Sequence, residues 1–420
     1  MKSLEEAFAY IHDQSTIVTA MAAAEPQAFF GSFHHIIKNR RQLNLFCANP
    51  SKAYECFKHS LDDNQNNIYV MFLTDALRGL QEEYTLGYIP QNLSQWSRNI
   101  QARGSIDVFW GSCSVPDNRN LVSLGPSCCY EPEILRAART VILEINPNIP
   151  FTSGDTVIPV ADVDCFVDSP HPLPQILTST PGPCEHMIAQ HIAALVPHGA
   201  TLQLGIGSIP NAIGDALQTK KNLGIHTEMI NDAIISLFKS GAINGKEKTI
   251  WPGKIIGSFA YGSSELYQFL DGNPLIELHP SSIVNAPHCL ASNHLMTSIN
   301  TAIEVDLTGQ VCSESIGHRE ISGVGGASDT HIGAQLSKGG RGIIALTSQT
   351  KSNQSKIVFE LNPGANISIS RNDIDTVVTE FGFTELRGRS VAERARGLIS
   401  IAHPAHRERL LACAKQAHYL

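Results

Sequence analysis

The chain has 420 residues, of which 42% are hydrophobic and 17% are charged, and its formal net charge at pH 7 is −8. This composition is typical of a globular protein, and the length predicts two or three domains because a single core rarely exceeds about 250–300 residues. The negative charge argues against nucleic acid as the main partner, because binding to phosphates requires a basic face.

Signals for membrane insertion, secretion and metal binding are weak in this sequence. No apolar run approaches ~18 residues, so we expect no membrane span. The first residues, MKSLEEAFAYIHDQ, indicate an acidic amphipathic helix rather than a signal peptide. The ten cysteines form no CxxC pair, which favours reduced thiols in the cytoplasm and predicts no metal site.

The N-terminal half alternates apolar strands with helical patterns. The segment STIVTAMAAAEPQAFFGSF indicates a strand, a turn of small residues and a helix started by proline. Further strands are predicted in QLNLFCA, NIYVMFL and IDVFWGSCS, and a helix that runs into a strand is predicted in EPEILRAARTVILEINP. Apolar strands of this kind suit a parallel sheet covered on both faces, so the sequence predicts an α/β fold.

A proline-rich segment provides the best domain boundary. Residues 168–186, DSPHPLPQILTSTPGPCEH, contain five prolines, which interrupt regular structure and stiffen the chain. The same alternation of strands and helices then resumes and ends in one predicted helix, SVAERARGLISIAHPAHRERLLACAKQ. We therefore expect two α/β domains, residues 1–180 and 181–420.

A glycine-containing turn follows the strand predicted at the start of the second domain. In LQLGIGSIPNAIGDAL, residues 202–217, Gly205-Ile206-Gly207 separate the strand from a helix opened by Pro210. Glycines allow a ligand to approach the backbone, and a helix N-terminus offers free N–H groups to an anion. The dinucleotide motif GxGxxG would require glycine at position 210, so the pattern argues against a Rossmann NAD site.

One carboxylate stands out in GIHTEMINDAIISLF, residues 224–238. Apolar residues at helical spacing predict a helix from Ile230 onward. Thr227 could cap this helix, and Glu228 would then be an acid that interacts favourably with the helix dipole. The alternative is a reactive carboxylate at a site, and the local pattern does not decide between the two.

Two further glycine clusters follow, SGVGGASD at 322–329 and SKGGRGIIAL at 337–346. Each could be an ordinary turn. Together with the first loop, and with Lys338 in the last, they indicate a long ligand that carries phosphate. The P-loop pattern GxxxxGK[ST] is missing from the sequence, which excludes the usual P-loop nucleotidase.

The C-terminal half resembles the acetyl-CoA hydrolase/transferase family of class I CoA-transferases, in particular its 4-hydroxybutyrate and butyryl-CoA:acetate members. The segments that carry this resemblance, in family order, are LQLGIGSIPNAI, IHTEMINDAIISLFKSGAI, SIVNAP, NTAIEVDLTGQVCSE, GVGGASD, SRNDIDTVVTEFGFTELRGRS and ERARGLISIAHPAHRE. In the N-terminal half, SVPDNRNLVSLG is similar to the family stretch D-x-x-G-x-x-S-L-G, with Asn120 in place of the usual glycine.

The resemblance implies two open α/β domains of the CoA-transferase type with an active-site cleft between them. It implies that Glu228 is the nucleophile and that Asn285 and Gly326 assist at the reacting carbonyl. The CoA contacts that it implies are Gly205, Ile206, Gly207, Ser208, Ile209, Ile303, Ser322, Gly326 and Lys338.

The resemblance also implies the partners of this protein. Acyl-CoA and short-chain carboxylic acids would be substrates, with no tightly bound cofactor, and the assembly would be a homodimer or homotetramer. In the implied reaction, Glu228 forms a mixed anhydride and then a CoA thioester, and a second acid reverses these steps.

Several alternatives remain open at this stage. Glu304, in the strand NTAIEVDLTGQV, is a rival for the essential acid, although a structural carboxylate is the preferred interpretation. Acyl-CoA hydrolysis would use the same glutamate, with water in place of the second acid. A catalytically silent CoA-binding protein is a third hypothesis, and retention of Glu228, Asn285 and the glycine loops argues against it.

Overall fold

The structure is a computed structural model that describes residues 1–59, 65–80, 86–176 and 180–420. The chain forms two compact units, residues 1–176 with 256–284, and residues 177–255 with 285–420. The domain boundary between residues 180 and 181 and the cleft between domains remain predictions, and residues 177–179 of the proline-rich segment lie outside the described residues.

Both units contain helices. The α-helices are α1 (Leu4–Phe8), α2 (Gln27–Ile37), α3 (Asp75–Arg78), α4 (Trp96–Gln101), α5 (Glu131–Ala137), α6 (Pro183–Leu195), α7 (Ser208–Ala216), α8 (Asp232–Lys239), α9 (Ser264–Leu270), α10 (Ser281–Val284), α11 (Pro287–Ala291), α12 (Ala327–Leu336), α13 (Val391–Ile401) and α14 (Pro404–Gln416). Short 3₁₀ helices span Ala22–Ala24, Glu55–His59, Leu93–Gln95 and Val160–Asp162.

The strands alternate with these helices along the chain. They are β1 (Thr16–Thr19), β2 (Asn44–Cys47), β3 (Asn67–Val70), β4 (Gly87–Tyr88), β5 (Ile106–Cys113), β6 (Leu121–Ser123), β7 (Ala138–Ile145), β8 (Ser153–Gly154), β9 (Val157–Pro159), β10 (Cys165–Asp168), β11 (Thr201–Leu204), β12 (Gly224–His226), β13 (Met229–Ile230), β14 (Ile255–Gly257), β15 (Phe259–Ala260), β16 (Ile276–Leu278), β17 (Met296–Thr301), β18 (Glu304–Asp306), β19 (Val311–Cys312), β20 (Ser315–Ile316), β21 (Arg319–Glu320), β22 (Arg341–Ala345), β23 (Ile357–Val358), β24 (Thr376–Thr379) and β25 (Gly382–Glu385).

The first unit is built on a parallel sheet with the strand order β10-β7-β5-β1-β2-β3-β4. Its core is aromatic on the side covered by α2, where Phe29, Phe30 and Phe33 are buried together with Trp110 of β5. These α2 positions recur at helical spacing, so one face of the helix is apolar and packs against the strands. The α/β class predicted from the sequence is confirmed.

The second unit contains the strands β25-β24-β22-β17-β11-β12 in that order, all parallel except β25. From β11 the chain continues to β12 on one side, whereas β17 pairs with β11 on the other side. The strand order therefore reverses next to β11. In open α/β sheets ligands bind outside the carboxyl ends of the strands at such a point.

The end of the chain differs from the sequence prediction. One helix was predicted over residues 390–416, but the structure has α13 and α14, and Pro404 is the first residue of α14. Proline has no N–H and cannot continue a helix, yet it suits the first helical position. The predicted single helix is wrong for this reason. In the described parts of the chain, every helix is too short or too polar to cross a lipid bilayer.

Candidate active site

Glu228 lies at the carboxyl end of β12 and does not belong to a helix cap. Helix α8 begins at Asp232, and its cap is Asn231, whose side chain accepts a hydrogen bond from the Ala233 N–H at 3.1 Å. The Thr227 hydroxyl instead contacts the backbone of Leu204 at the end of β11, at 3.3 Å. The helix-capping interpretation of Thr227 and Glu228 is therefore wrong, because Asn231 has taken that position.

Two hydrogen-bond donors hold the Glu228 carboxylate. The Asn285 Nδ2 amide donates to Oε2 at 3.1 Å, and the backbone N–H of Gly326 donates to the same side chain. Burial raises the pKa of Glu228 to about 7, and the nearby Asp329 also raises it, whereas the two hydrogen bonds oppose the shift. The residue keeps some accessible surface. The carboxylate form consequently dominates only above about pH 7.

Asn285 lies between α10 and α11 and is completely buried. Its Nδ2 contacts Glu228, but its Oδ1 meets no hydrogen-bond partner within the part of the chain that the structure describes. A buried amide oxygen without a donor is costly. This oxygen is therefore available to accept a hydrogen bond from a bound ligand beside Glu228.

Gly326 is the N-cap residue of α12, and no larger residue fits there. A Cβ at this position would collide with both Asn285 Nδ2 and Glu228 Oε2. The backbone φ of −99° is accessible to any residue, so the requirement for glycine comes from this close approach rather than from backbone strain. The absent side chain lets the start of α12 contact the carboxylate directly.

The segment Gly205 to Ile209, which contains the turn after β11 and the first two residues of α7, lies at the same edge of the sheet. Gly207 has a φ of +115°, which strains any residue with a side chain. The Asn231 amide donates to the Gly205 carbonyl at 2.7 Å and so joins this loop to the start of α8. The structure thus brings the predicted CoA loop and Glu228 to neighbouring strand ends.

Ile303 and Ser322 occupy the segments that lead from β17 towards α12. The Ile303 N–H donates to the Cys312 carbonyl at 2.8 Å, just beyond the carboxyl end of β17. The Ser322 hydroxyl donates to the Ser313 carbonyl at 3.2 Å. Both residues have backbone or side-chain partners within their own segment, and their contacts with CoA remain a prediction.

Lys338 is not brought together with the other predicted residues. It precedes β22 and therefore lies at the amino edge of the parallel sheet, where its carbonyl accepts from the Leu295 N–H at 3.0 Å. With His198, Asn222 and His294 it lines a cavity of about 480 Å³. Five residues of β22, at ~3.3 Å each, separate the two edges. Gly339, next to Lys338, has a φ of +70° and serves the turn into β22.

A second lysine, Lys351, follows the other end of β22 in the chain. This exposed lysine follows the carboxyl end of β22, in a loop closed by a hydrogen bond of 2.8 Å from the Thr350 N–H to the Gln354 carbonyl. Lys351 is therefore an exposed cation that follows the carboxyl end of β22, whereas Lys338 precedes the strand.

Each carboxylate oxygen of Glu304, the rival acid, accepts a hydrogen bond from Asn362. Its Oε1 accepts from the Asn362 N–H at 2.9 Å, and its Oε2 accepts from the Asn362 side-chain amide at 2.6 Å. Burial raises the pKa of this carboxyl. The contacts favour a structural carboxylate that fixes the loop containing Asn362.

Potential metal ligands are scattered. Over residues 1–59, 65–80, 86–176 and 180–420, no group of three His, Cys, Asp or Glu side chains is placed to hold a metal ion. The ten cysteines are all free, and most are buried.

Family models match both halves of the chain. The acetyl-CoA hydrolase/transferase N-terminal domain matches residues 1–176, and the corresponding C-terminal domain matches residues 262–414. The chain belongs to the acetyl-CoA hydrolase/transferase family. The family predicted from the sequence motifs is thereby confirmed.

Relatives with named activities share this family membership. The 4-hydroxybutyrate coenzyme A transferase of Clostridium kluyveri is 40% identical, and the match covers 97% of this chain and 95% of the relative. The succinyl-CoA:cyclohexane-1-carboxylate CoA transferase of Geobacter metallireducens is 35% identical over 98% of this chain and 94% of its own. An acetyl-CoA hydrolase of Yarrowia lipolytica is 25% identical, and the match covers 79% of this chain and 71% of the hydrolase. The predicted enzyme class, a CoA-transferase, is confirmed by the first two matches.

Solved structures of the family have the same fold. RipA from Yersinia pestis is 32% identical and superposes with a TM-score of 0.93, covering 100% of this chain and 98% of RipA. A 4-hydroxybutyrate CoA-transferase from Porphyromonas gingivalis is 30% identical and superposes with a TM-score of 0.80. The match covers 99% of this chain and 97% of the transferase. The predicted α/β fold of the CoA-transferase type is confirmed.

Proposed function

We propose that the protein transfers CoA from an acyl-CoA to a short-chain carboxylic acid through a CoA thioester on Glu228. The observation that carries the proposal is the Glu228 carboxylate at the carboxyl edge of the sheet, held by the Asn285 amide and the Gly326 N–H. A carboxylate is a poor nucleophile in water and needs such desolvation and orientation.

The proposed half-reaction conserves one negative charge. The free oxygen of Glu228, Oε1, attacks the thioester carbonyl carbon, the C–S bond breaks, and CoA leaves as a thiolate from a mixed anhydride. The thiolate then attacks the Glu228 carbonyl carbon, and the C–O bond to the first acyl group breaks. The first acid leaves as a carboxylate, and a second acid reverses both steps.

The proposed mechanism gives the two oxygens of Glu228 different roles. Asn285 donates to Oε2, so Oε1 is the oxygen left to form the anhydride bond. Oε2 becomes the glutamyl carbonyl oxygen, which acquires negative charge when the thiolate attacks. Donors already aimed at the position where charge develops stabilise the transition state without reorganisation.

The remaining assignments follow from the same edge of the sheet. Backbone N–H groups at the start of α7, in the Gly205–Ile209 segment, are suited to an anionic part of CoA. Ile303 and Ser322, which lie between β17 and α12, are the further proposed contacts. Acyl-CoA acts as a substrate, and no tightly bound cofactor takes part. Relatives named for 4-hydroxybutyrate and for butyryl-CoA:acetate transfer support short-chain acids as acceptors. The proposal includes a cytoplasmic homodimer or homotetramer.

The position of the lysines predicts different salt dependences. Lys351 lies on the carboxyl edge, whereas Lys338 lies on the other edge, so Lys351→Ala should raise the KM for acyl-CoA roughly five- to tenfold through loss of a charged contact. Rising salt should weaken wild-type binding and affect Lys351→Ala less. Lys338→Ala is the matched control and tests the sequence prediction for that residue. If only Lys338→Ala raises KM, Lys338 is the CoA contact and the edge argument fails.

A covalent adduct tests the proposed function directly. Enzyme incubated with acyl-CoA and no acceptor should accumulate the thioester, which borohydride reduces to an alcohol, and peptide mass analysis should place that change at residue 228. Initial-rate kinetics should be ping-pong, because the first acid leaves before the second binds. An adduct at another residue, or sequential kinetics, would contradict the mechanism. Free thiol measured beside ester exchange separates transfer from hydrolysis.

A further inference from the structure

We infer that four buried polar side chains, Gln203, Ser298, Asn300 and Thr330, are positioning residues that aim the start of α12 at Glu228. They are called the β11–β17–α12 network below. This inference rests on the proposed role of Glu228 as the nucleophile, and it adds residues that do not touch the carboxylate themselves.

The network is closed by hydrogen bonds between side chains. Gln203 of β11 and Ser298 of β17 are partners in the sheet register, and the Ser298 hydroxyl lies 2.8 Å from Gln203 Oε1. The amides of Gln203 and Asn300 donate to each other's oxygens at 3.2 Å. Both Ser298 and Asn300 also reach the Thr330 hydroxyl, at 3.0 and 3.1 Å. Two strands are thereby joined to one helix.

Thr330 transmits this connection to the first turn of α12. Its N–H donates to the Gly326 carbonyl at 2.9 Å, and its hydroxyl lies 3.3 Å from the Ala327 carbonyl. Gly326 in turn donates its own N–H to Glu228. Hydrogen bonds therefore connect the centre of the sheet to the first turn of α12, where the Gly326 backbone lies against the Glu228 carboxylate.

Apolar packing contributes little to the placement of α12. The buried residues of this helix are Asp329, Thr330, His331, Gly333 and Ala334. The small apolar cluster that includes the helix contains Leu290, Met296 and Ala334, towards its C-terminal half. Apolar contacts are non-directional, whereas hydrogen bonds fix the rotation and height of a helix. The first turn of α12 is therefore held by the network.

The position of the first turn of α12 matters because there is little free space around Gly326. The Gly326 backbone approaches Glu228 and Asn285 so closely that a Cβ could not be inserted. A displacement of ~1 Å at a reacting group is enough to cost on the order of 100-fold in rate. If the first turn shifts, the donor to Glu228 is lost or misaligned. The charged group that acts on Glu228 from the same helix, Asp329, would shift with it.

The test is Thr330→Val, which keeps the side-chain shape and removes the hydroxyl. We expect kcat for CoA exchange to fall at least about tenfold, with KM for acyl-CoA changed less than about twofold because the predicted CoA contacts other than Gly326 lie outside the start of α12. The Gly326 hydrogen bond lowers the pKa of Glu228. Asp329 on the same helix raises that pKa and would move with Gly326, so a displaced first turn should shift the acidic limb of the kcat/KM profile away from about pH 7. Thr330→Ser, which restores a hydroxyl, should return kcat and the acidic limb towards wild type.

Thr297→Val is the matched control for loss of a buried hydroxyl. Thr297 also lies in β17, but its hydroxyl donates to the Leu295 carbonyl at 3.2 Å, outside the network. The inference is overturned if Thr330→Val has wild-type kcat and pH profile. It is also overturned if Thr297→Val and Thr330→Val lose kcat and melting temperature equally, because general destabilisation would then explain both.

Glu228→Gln separates this inference from the proposed function. If that variant still exchanges CoA, the proposed function fails, and the positioning role fails with it. If Glu228→Gln is inactive while Thr330→Val matches wild type, only the positioning role is rejected.

Discussion

Glu228→Gln should abolish CoA exchange, with a loss in kcat on the order of 10⁴-fold or more, as expected when a covalent nucleophile is removed. The amide keeps the shape of the side chain and can still accept from Asn285 Nδ2, so the fold and CoA affinity should largely survive. The variant lacks the charged oxygen that forms the anhydride. Exchange between labelled acyl-CoA and free acid measures the loss, and calorimetry measures CoA binding.

Two further variants make this result specific. Glu228→Asp keeps the charge but withdraws it by one methylene, and a misplacement of ~1 Å should cost on the order of 100-fold. Glu304→Gln is the matched control, because that carboxylate is also buried but binds Asn362. Glu304→Gln should retain substantially more activity than Glu228→Gln. If Glu304→Gln is the inactive variant, the essential acid has been misassigned.

Gly326→Ala should lower kcat by about 100- to 1000-fold, because it displaces a preorganised donor from the reacting carboxylate. The added Cβ would occupy the space where Glu228 Oε2 and Asn285 Nδ2 meet. The start of α12 must then move away, and the Gly326 N–H no longer reaches the carboxylate. We expect KM for acyl-CoA to change much less than kcat, as steady-state kinetics would show.

The control for Gly326→Ala is a glycine where a methyl group has room. A Cβ on Gly31, in α2, meets nothing within 4 Å, so Gly31→Ala should keep wild-type activity and melting temperature. Wild-type kcat in Gly326→Ala would show that the contact of α12 with Glu228 is dispensable. If Gly326→Ala is partly active and its melting temperature is also much lower, CoA binding by the variant should be measured. The proposed mechanism predicts that this binding persists.

The sequence by itself determined the class of the fold and the set of candidate residues. Alternation of apolar strands and helices is a local pattern, so β2, β5 and β11 lie where the apolar segments predicted strands. The family motifs are also local, and they are sufficient to select Glu228, Asn285 and Gly326 as candidate site residues. Residue type at a fixed place in a motif carries this information without reference to distant parts of the chain.

Only the tertiary structure decided which candidates meet. Glu228 and Asn285 are 57 residues apart in sequence, and their contact depends on the order of strands in the sheet. The same order separates Lys338 from Lys351, because the two ends of β22 lie at opposite edges. Local pattern also could not show that Asn231 caps α8 or that Asn362 satisfies Glu304. These assignments depend on which polar partners become available on folding, and the sequence pattern of each segment does not contain that information.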